Sequence, residues 1–409
     1  MSDCRMCRQG PIAGWLDFGP QALGNRFLRS PAEDEYRHPC RFGVCRRCGT
    51  AQLESPVPLA EMRPRFDWIT YNEPEGHLDE VARVLAALPG LPPDATVGGL
   101  TYKDESTLKR LTALGRPNTW LADARADLGV ESPFGGIESI QDRLTVATAD
   151  RLAAKFGRPD LLLIRHVLEH AYDIHELLRS ACALVKPDGY VVFEVPGTCK
   201  ALVGFDYTTV WEEHLFYFNP VTLRHCFEAA GFEVVYLNSF HYSKEDALVA
   251  VVKPAAGTVP LTATPAQLAA EVAIAERFIR EFPRVRDGVR AQVNRFTQNG
   301  GSVAMLGAGH LSGAFINLYG IEAAIDFVAD DNPKKHGLFM PGSRAPILPS
   351  SELVARGTAL CLMTVRAEIE DAVAQKNKAF TDRGGVLASV FPESPYALDA
   401  SVREAVKVA

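Results

Sequence analysis

The amino-acid sequence predicts an α/β protein of three successive parts, over residues 1–85, 86–255 and 256–409. Three observations lead to this fold class: two close pairs of cysteines near the N-terminus, apolar runs that alternate with amphipathic segments from about residue 94, and a later apolar run that ends in a glycine-rich turn near residue 307. A chain of 409 residues is too long for one ordinary hydrophobic core. Strand–helix alternation with short links is typical of a doubly wound parallel sheet.

The composition predicts a soluble, cytoplasmic protein. Acidic residues outnumber basic ones, 50 to 43, and no long basic run occurs, so we expect no nucleic-acid partner. No apolar stretch approaches the roughly 18 residues that cross a bilayer, and the N-terminus lacks the apolar core of a signal peptide. The nine cysteines cannot all pair with one another, so we expect reduced thiols.

The first part contains a pattern of cysteines that predicts a structural zinc site. Cys4 and Cys7 form one C-x-x-C, and Cys45 and Cys48 form another. Two such turns can present four thiolates to one tetrahedral Zn²⁺, which leaves no open coordination position. The stretch between the pairs is longer than the roughly 15–20 residues of a compact zinc ribbon. Cys40 is a fifth candidate without a C-x-x-C partner, and buried or redox-active thiols are the alternative interpretation.

The second part predicts a parallel sheet with a ligand crevice. "DATVGGL", "NTWLADA", "PDLLLIRHV" and "YVVFEVP" are strand candidates, and "STLKRLTALG" and "DIHELLRSACALVKPDG" are amphipathic helices between them. In doubly wound sheets the ligand lies beyond the carboxyl ends of the strands. This rule places Gly98, Gly99, Asp123, Arg165 and His166 around one crevice. Asp123 would then accept hydrogen bonds from the hydroxyls of a ribose.

The stretch "HVLEH" also matches H-x-x-E-H, a zinc-protease pattern. His166 and His170 would face the same side if both lay on one helix. However, His166 directly follows a buried strand, and no third ligand is evident from the sequence. We therefore expect a loop beside the ligand crevice rather than a metal site.

The chain resembles a known family over nearly its whole length. "CRMC", "LDFGPQALGNRFL" and "CRRCGTAQL", then "IRHVLEHAYDIHELLRSACALVKPDGYVVFEVP" and "WEEHLFYFNPVTLRHCFEAAGFEVV", and finally "GAGHLSGAFINLYGI" are similar to the three-part sugar C-methyltransferases of deoxysugar pathways. Those proteins have a Cys₄ zinc domain, a central class I S-adenosylmethionine-dependent methyltransferase domain and a C-terminal Rossmann-like domain. The resemblance implies that Glu213 and His214 are an acid–base pair, and that Tyr217 and Phe218 line the substrate pocket.

The cofactor-binding turn departs from that family. An acidic residue and a turn of the form E-x-G-x-x-x-G usually follow the first strand, whereas this chain has "TVGGLTYKDESTLKRL", with Thr96 at the acidic position and Lys103, Asp104 and Glu105 near the later glycine. Side chains hinder close approach of a cofactor to the backbone. Two alternatives follow: a remodelled turn that still binds S-adenosylmethionine, or a domain that has lost or exchanged its cofactor.

The third part contains "SVAMLGAGHLSG", a strand followed by a turn that includes Gly307, Gly309 and His310. Asp330 lies near the distance, about 20 residues, at which a dinucleotide-binding fold has its ribose-binding acid. Alone, this pattern suggests a nicotinamide-dependent oxidoreductase. The resemblance instead implies a Rossmann-like helper domain that binds part of the substrate through these four residues. The family also has a tyrosine-rich segment that covers the active site, to which Tyr71 could belong.

The leading hypothesis is a methyltransferase that uses S-adenosylmethionine and acts on a small molecule, a sugar or sugar nucleotide. Methylation of a carbon next to a carbonyl needs a base for the α-proton and a donor for the enolate oxygen. His214, polarised by Glu213, is the predicted base, and Tyr217 the predicted donor. The sequence predicts neither the methylated atom, carbon or oxygen, nor the oligomeric state.

Overall fold

The computed structural model describes residues 3–69, 73–131, 136–298 and 300–398. It confirms the mixed α/β class, with three sheets in the described part of the chain. Tyr71, predicted to cover the active site, lies outside the described residues. None of the described helices is both long and apolar enough to span a membrane.

The described part of the N-terminal region contains three strands and two helices. Its elements are β1 (Ile12–Ala22), β2 (Arg37–Cys45), β3 (Ala51–Leu53), α1 (Leu59–Met62) and α2 (Leu78–Ala86). Cys4 and Cys7 precede β1, Cys45 ends β2, and Cys48 lies in the turn before β3. The strands therefore bring both cysteine pairs to one end of this region.

The central region has the expected strand–helix alternation. Its elements are β4 (Val97–Gly99), α3 (Glu105–Ala113), β5 (Thr119–Leu121), α4 (Ile137–Ile140), α5 (Val146–Phe156), β6 (Leu161–Arg165), α6 (Ile174–Leu184), β7 (Tyr190–Gly197), α7 (Cys199–Gly204), β8 (Phe216–Tyr217), α8 (Pro220–Ala229), β9 (Phe232–Phe240) and β10 (Asp246–Pro254). Every residue of β6 and β7 is buried, as expected of strands covered on both faces.

The central sheet has the strand order β5-β4-β6-β7-β10-β9. β5, β4, β6 and β7 pair in parallel, and β10 is inserted antiparallel between β7 and β9. The carboxyl ends of β4, β5 and β6 therefore meet at one edge, where a doubly wound sheet binds its ligand. β8 belongs to the other sheet, of order β1-β2-β3-β8.

The C-terminal region contains a third, wholly parallel sheet. Its elements are α9 (Pro265–Thr297), β11 (Val303–Leu306), α10 (His310–Tyr319), β12 (Ile325–Ala329), β13 (Ile347–Leu348), α11 (Glu352–Ala355), β14 (Leu360–Met363), α12 (Ala367–Lys376), α13 (Lys378–Thr381) and β15 (Val386–Ser389). The strand order is β13-β12-β11-β14-β15. This arrangement agrees with the Rossmann-like architecture predicted for the third part.

The chain forms two compact units that are discontinuous in sequence. The first comprises residues 1–15, 43–199 and 213–275, and the second residues 16–42, 200–212 and 276–409. These borders do not coincide with the three parts 1–85, 86–255 and 256–409. The three domain ranges stay a prediction.

Candidate functional site

The four predicted cysteines of the C-x-x-C pairs converge in the first unit. Cys4 Sγ is 3.7 Å from Cys48 Sγ, and Cys7 Sγ is 3.7 Å from Cys45 Sγ. All four sulfurs lie within 4.8 Å of one another. Four thiolates at about 2.3 Å from a tetrahedral ion are separated by about 3.8 Å. The cluster therefore has the dimensions of a Cys₄ zinc site.

The protonation of these thiols is mutually dependent. Hydrogen bonds from Cys4 and Cys48 lower the pKa of Cys45 to about 2. The hydrogen bond to Cys45 raises the pKa of Cys4 to about 12. Four thiolates this close would repel one another, so full ionisation needs a bound cation. Cys40 is buried elsewhere and does not belong to the group found among the described residues.

The turn after β4 is closed by the side chain of Asp104. This residue is fully buried, and its Oδ2 accepts hydrogen bonds from the backbone N–H groups of Leu100 (2.8 Å) and Thr101 (2.9 Å). Its Oδ1 accepts one from the N–H of Arg165 at 3.0 Å, at the end of β6. Burial raises the pKa of Asp104 to about 7. Asp104, one of the residues at which this turn departs from the family pattern, therefore links the ends of the neighbouring strands β4 and β6 through hydrogen bonds.

Gly98 and Gly99 serve internal packing in this structure. A Cβ at Gly98 would lie 2.3 Å from the indole ring of Trp120, which stacks on Phe156. A Cβ at Gly99 would lie 2.9 Å from the Cβ of Asp104. Both positions require glycine because of neighbouring side chains. Contact of either glycine with a cofactor stays a prediction.

Asp123 lies in the turn after β5 and is exposed, two residues beyond the end of the strand. Its Oδ1 accepts hydrogen bonds from the N–H groups of Arg125 (2.9 Å) and Ala126 (2.6 Å). Within the described part of the chain, no hydrogen bond reaches its Oδ2. One oxygen therefore fixes the turn, and the other is available for the hydroxyl of a ribose.

Arg165 and His166 belong to a buried ionic network centred on Glu194. Arg165 Nε donates to Glu194 Oε2 at 2.6 Å, and His166 Nε2 lies 3.1 Å from Oε1. His77 Nε2 lies 3.2 Å from the same oxygen, and its Nδ1 is 2.8 Å from the hydroxyl of Tyr242. Burial alone raises the pKa of Glu194, but the charge of Arg165 and the nearby imidazoles of His166 and His77 hold it well below its usual range.

This network was only partly predictable. His166 lies in a loop, as expected, with a φ of 54° that is rare outside glycine. Glu194 was not singled out, although an acidic residue within the apolar run "YVVFEVP" is a signal, because buried carboxylates are normally paired. The guanidinium of Arg165 is bound by Glu194, Ser106 and the carbonyl of Lys103. Direct contact of Arg165 or His166 with a cofactor stays a prediction.

His214 lies beside the "HVLEH" segment, at the carboxyl end of β6. Residues 168–170 form a single 3₁₀ turn, so His166 and His170 do not share a helix. The ring of His170 is perpendicular to that of His214, with 4.6 Å between centroids. The N–H of Leu215 donates to the carbonyl of Glu169 at 2.8 Å, which fixes this approach. Burial lowers the pKa of His170, which favours its neutral form.

The predicted site residues on either side of His214 are buried. Glu213 is buried next to the half-buried His214. Tyr217 is 2% exposed and pairs with Ala51 of β3, and Phe218 is fully buried beside Gly197 at the end of β7. This segment therefore joins the N-terminal sheet to the central one. The predicted contacts of Tyr217 and Phe218 with a substrate stay predictions.

In the second unit, the glycine turn after β11 is bound by its own acidic residue. Gly307 has a φ of 103°, and Gly309 is the N-cap of α10. Asp330 Oδ2 accepts hydrogen bonds from the N–H of Ala308 and from Lys335 Nζ, both at 2.8 Å. Its Oδ1 accepts a hydrogen bond from the N–H of Asn332 at 2.8 Å. Both oxygens of Asp330 are therefore bonded within the protein, unlike those of Asp123, and this arrangement disfavours the nicotinamide alternative, which needs an oxygen for the ribose.

His310, predicted to bind substrate, begins α10 in the same unit. Its ring stacks on that of Trp211, with 4.3 Å between centroids and 15° between planes. The predicted substrate contacts of Gly307, Gly309, His310 and Asp330 stay predictions.

The sequence matches two family models. Residues 24–237 match a methyltransferase domain, and residues 262–392 match a C-methyltransferase C-terminal domain. The chain is also 26% identical over 408 residues to the C-methyltransferase NovU of Streptomyces niveus, with 96% of each chain covered.

Solved structures give weaker likenesses. The 1,6-didemethyltoxoflavin-N1-methyltransferase of Burkholderia thailandensis, with bound S-adenosylhomocysteine, is 18% identical at a TM-score of 0.30 and covers 44% of this chain and 79% of its own. The CcbJ methyltransferase of Streptomyces caelestis is 15% identical at a TM-score of 0.30 and covers 46% of this chain and 94% of its own. Both TM-scores are low, so the fold assignment rests on the sheet and the family models.

Proposed function

Because the chain belongs to the methyltransferase domain family and is an S-adenosylmethionine-dependent methyltransferase, we propose that it methylates a carbon atom of a sugar or sugar nucleotide. Transfer to carbon is supported by the match to the C-methyltransferase C-terminal domain and by the likeness to NovU along nearly all of both chains. The carbohydrate substrate rests on the resemblance of the three parts to sugar C-methyltransferases.

The crevice at the carboxyl ends of β4, β5 and β6 is the proposed cofactor site. S-adenosylmethionine supplies an electrophilic methyl group there. Asp123 would accept a hydrogen bond from the ribose through Oδ2 while its Oδ1 holds the turn. Gly98 and Gly99 would form the floor of the crevice, and Arg165 and His166 would fix the end of β6. Of the two alternatives for the turn, family membership favours a remodelled turn over a lost cofactor.

The single observation that carries the proposed chemistry is the position of His214. This half-buried imidazole lies at the ligand-binding edge of the sheet, beside the buried Glu213 and 4.6 Å from the ring of His170. As a base, His214 would take the proton from the carbon next to a substrate carbonyl. The C–H electron pair would form the C=C bond of the enolate, and the π electrons of the C=O bond would move to its oxygen. Glu213 would stabilise the imidazolium, and Tyr217 would donate a hydrogen bond to the enolate oxygen.

We also propose that Cys4, Cys7, Cys45 and Cys48 hold one structural zinc ion. Their sulfur–sulfur distances of 3.7 Å support this assignment. Four protein ligands leave no coordination position for a substrate, so this ion would stabilise the fold and take no part in methyl transfer.

Replacement of the base tests the proposed function. In His214→Asn, turnover with a keto-sugar nucleotide should fall by roughly 10²–10⁴-fold, the usual contribution of a placed acid–base group. Glu213→Gln should reduce it less, because the imidazole remains. In D₂O, the wild type should exchange the α-proton of the substrate without methyl transfer, and His214→Asn should not. Product formation and exchange are followed by mass spectrometry.

Two controls make this result specific. His241→Asn removes an exposed imidazole far along the chain from the pair and should leave turnover unchanged. Calorimetry with S-adenosylhomocysteine should give the same affinity for the wild type and for all three variants, since the base faces the substrate. Normal exchange and turnover in His214→Asn would refute the assignment of the base.

A further inference from the structure

We propose that Glu169, His170 and His214 form a second metal site, which binds a divalent transition metal ion. One ligand atom from each residue lies within 4.8 Å of the ligand atoms of the other two. Two imidazoles and one carboxylate are a ligand set that Zn²⁺, Co²⁺ and Fe²⁺ accept, with coordination positions left open. The inference concerns metal binding and does not depend on the proposed methyl transfer.

The backbone brings these three ligands together from two distant segments. Glu169 and His170 are consecutive in the 3₁₀ turn 168–170, after β6. His214 is held beside them because the N–H of Leu215 donates to the carbonyl of Glu169. The sequence suggests only half of this site, since H-x-x-E-H offers His166 as the companion of His170. His166 instead bonds to Glu194, and His214 takes the third position.

The carboxylate of Glu169 is the observation that points to a ligand. Its side chain is 1% exposed, and among the described residues no hydrogen-bond donor reaches its Oε2. A buried carboxylate oxygen without a partner is costly, and a bound cation would remove that cost. Oε1 lies 4.0 Å from His170 Nε2 and 3.6 Å from His166 Nδ1. The single oxygen Oε1 therefore lies near both of these histidines, and Oε2 is left to bind a metal ion.

The distances fit a metal after a small adjustment. Ligands at about 2.1 Å from one ion are at most about 4.2 Å apart. Glu169 Oε1 and His170 Nε2, 4.0 Å apart, already satisfy this limit, so the proposed ion is held by Oε1 together with the Oε2 of the same carboxylate. No separation between ligand atoms in the group is greater than 4.8 Å, so none exceeds this limit by as much as an ångström. His214 is half-buried and lies outside any helix or strand, so its ring can make this movement.

A bound ion and a catalytic base at His214 exclude each other. A neutral imidazole that ligates a metal through one nitrogen keeps its proton on the other, so it has no lone pair left to accept a proton. This holds whichever nitrogen binds. If His214 is the base, as proposed above, occupancy of the site stops turnover, and a chelator restores it.

Cobalt binding tests the site with the full chain. The zinc content is first adjusted to one Zn²⁺ per chain, so that only the thiolates are occupied, and the protein is then dialysed against Co²⁺ and assayed for both metals. We expect one Co²⁺ per chain in addition to the zinc, with a visible d–d spectrum free of thiolate bands. Glu169→Gln and His170→Asn should each weaken Co²⁺ binding by about 10-fold or more.

His175→Asn is the matched control, because it removes another partly buried imidazole five residues from His170 and should not alter Co²⁺ binding. Zinc content and thermal unfolding show whether each variant has folded. If His170→Asn does not fold, the affinity of Glu169→Gln for Co²⁺ still tests the proposal. No additional Co²⁺ in the wild type, or equal binding in a folded Glu169→Gln, would overturn the proposal. Both outcomes are read without substrate and leave the methyltransferase proposal intact.

Discussion

Single ionisable residues hold the ligand edge of the central sheet together. Asp104 bonds to the backbone on both sides of the crevice, and Glu194 binds Arg165, with His166 and His77 close to the same carboxylate. Buried charges of this kind are stable only when each has a partner. The strand ends are therefore fixed before any ligand binds, which reduces the entropy that binding must overcome.

The raised pKa of Asp104 predicts a stability that depends on pH. Its folded-state pKa, about 7, lies above the ordinary value of 3.8, so the stability it contributes is complete below the ordinary value and is lost as the pH rises through about 7. Asn at this position does not titrate and places an amide near backbone donors. Asp104→Asn should therefore lower the free energy of unfolding, measured in urea, by about 1–3 kcal/mol at pH 5 and by less at pH 8.

Asp127→Asn is the control for this experiment. Partial burial raises the pKa of Asp127, but the bond from Lys155 outweighs this effect and lowers it below the ordinary value. Asp127 therefore stays ionised at both pH values, and its substitution should have the same effect at pH 5 and pH 8. An equal effect of Asp104→Asn at the two pH values would show that its carboxyl does not titrate in this window.

The sequence predicted the local arrangement of single residues correctly where their spacing along the chain is sufficient to define it. The two C-x-x-C pairs indicated four cysteines that converge, and a histidine directly after a buried strand indicated a loop. Glu169 and His214 could not be paired from the sequence, because a contact between residues so far apart depends on where β8 lies. The role of Asp104 was missed because its partners are backbone N–H groups, which no motif encodes.

At the level of elements, β8 connects the cysteine module to the edge of the central sheet where the ligand is expected to bind. The cysteine module is the N-terminal region that contains Cys4, Cys7, Cys45 and Cys48. It pairs with β3, which follows Cys48, while Phe218 bridges to Gly197 at the end of β7. His214 immediately precedes this strand. A change in the cysteine module is therefore transmitted through two backbone pairings to the loop that carries the predicted base.

This connection predicts the effect of zinc loss. Purified protein should contain about one zinc per chain, and Cys45→Ser should lose it. Because the binding energy of a structural zinc is folding energy, the melting temperature should fall by about 10 °C or more. Elemental analysis and thermal unfolding measure the two effects. Cys182→Ser, which changes a partly buried thiol of α6 outside the cluster, should retain both zinc and stability.

A stable wild type without metal would contradict the zinc proposal. A Cys45→Ser variant that loses zinc and melts at the wild-type temperature would contradict the structural role.

At the scale of the whole molecule, neither compact unit is one continuous stretch of the sequence, so the units cannot be recognised from the order of segments along the chain. The sequence predicted three consecutive parts from the cysteine pairs, the strand–helix alternation from about residue 94 and the later glycine-rich turn. However, residues 16–42 and 200–212 belong to the unit that contains residues 276–409. Short segments of this kind carry no periodic signal of their own, and only their contacts reveal where they pack.

Aromatic contacts within the second unit explain this membership. Phe42 packs on Phe278 with 5.4 Å between ring centroids, and Phe18 packs on Phe282 at 4.8 Å. Tyr207 stacks on Phe278 at 4.2 Å and donates a hydrogen bond to its carbonyl at 2.7 Å. Phe42 and Tyr207 are fully buried by these contacts.

Removal of residues 256–409 therefore distinguishes three independent domains from two discontinuous units. If the third part is an independent domain, the remaining residues 1–255 should fold with a sharp thermal transition. If the units are discontinuous, truncation exposes Phe42 and Tyr207, and each aromatic side chain that loses its burial costs roughly 1.5–3 kcal/mol. We expect the second outcome: the fragment 1–255 should bind a hydrophobic dye and elute as an aggregate in size-exclusion chromatography. The full chain, measured under the same conditions, is the control and should elute as a folded protein that does not bind the dye.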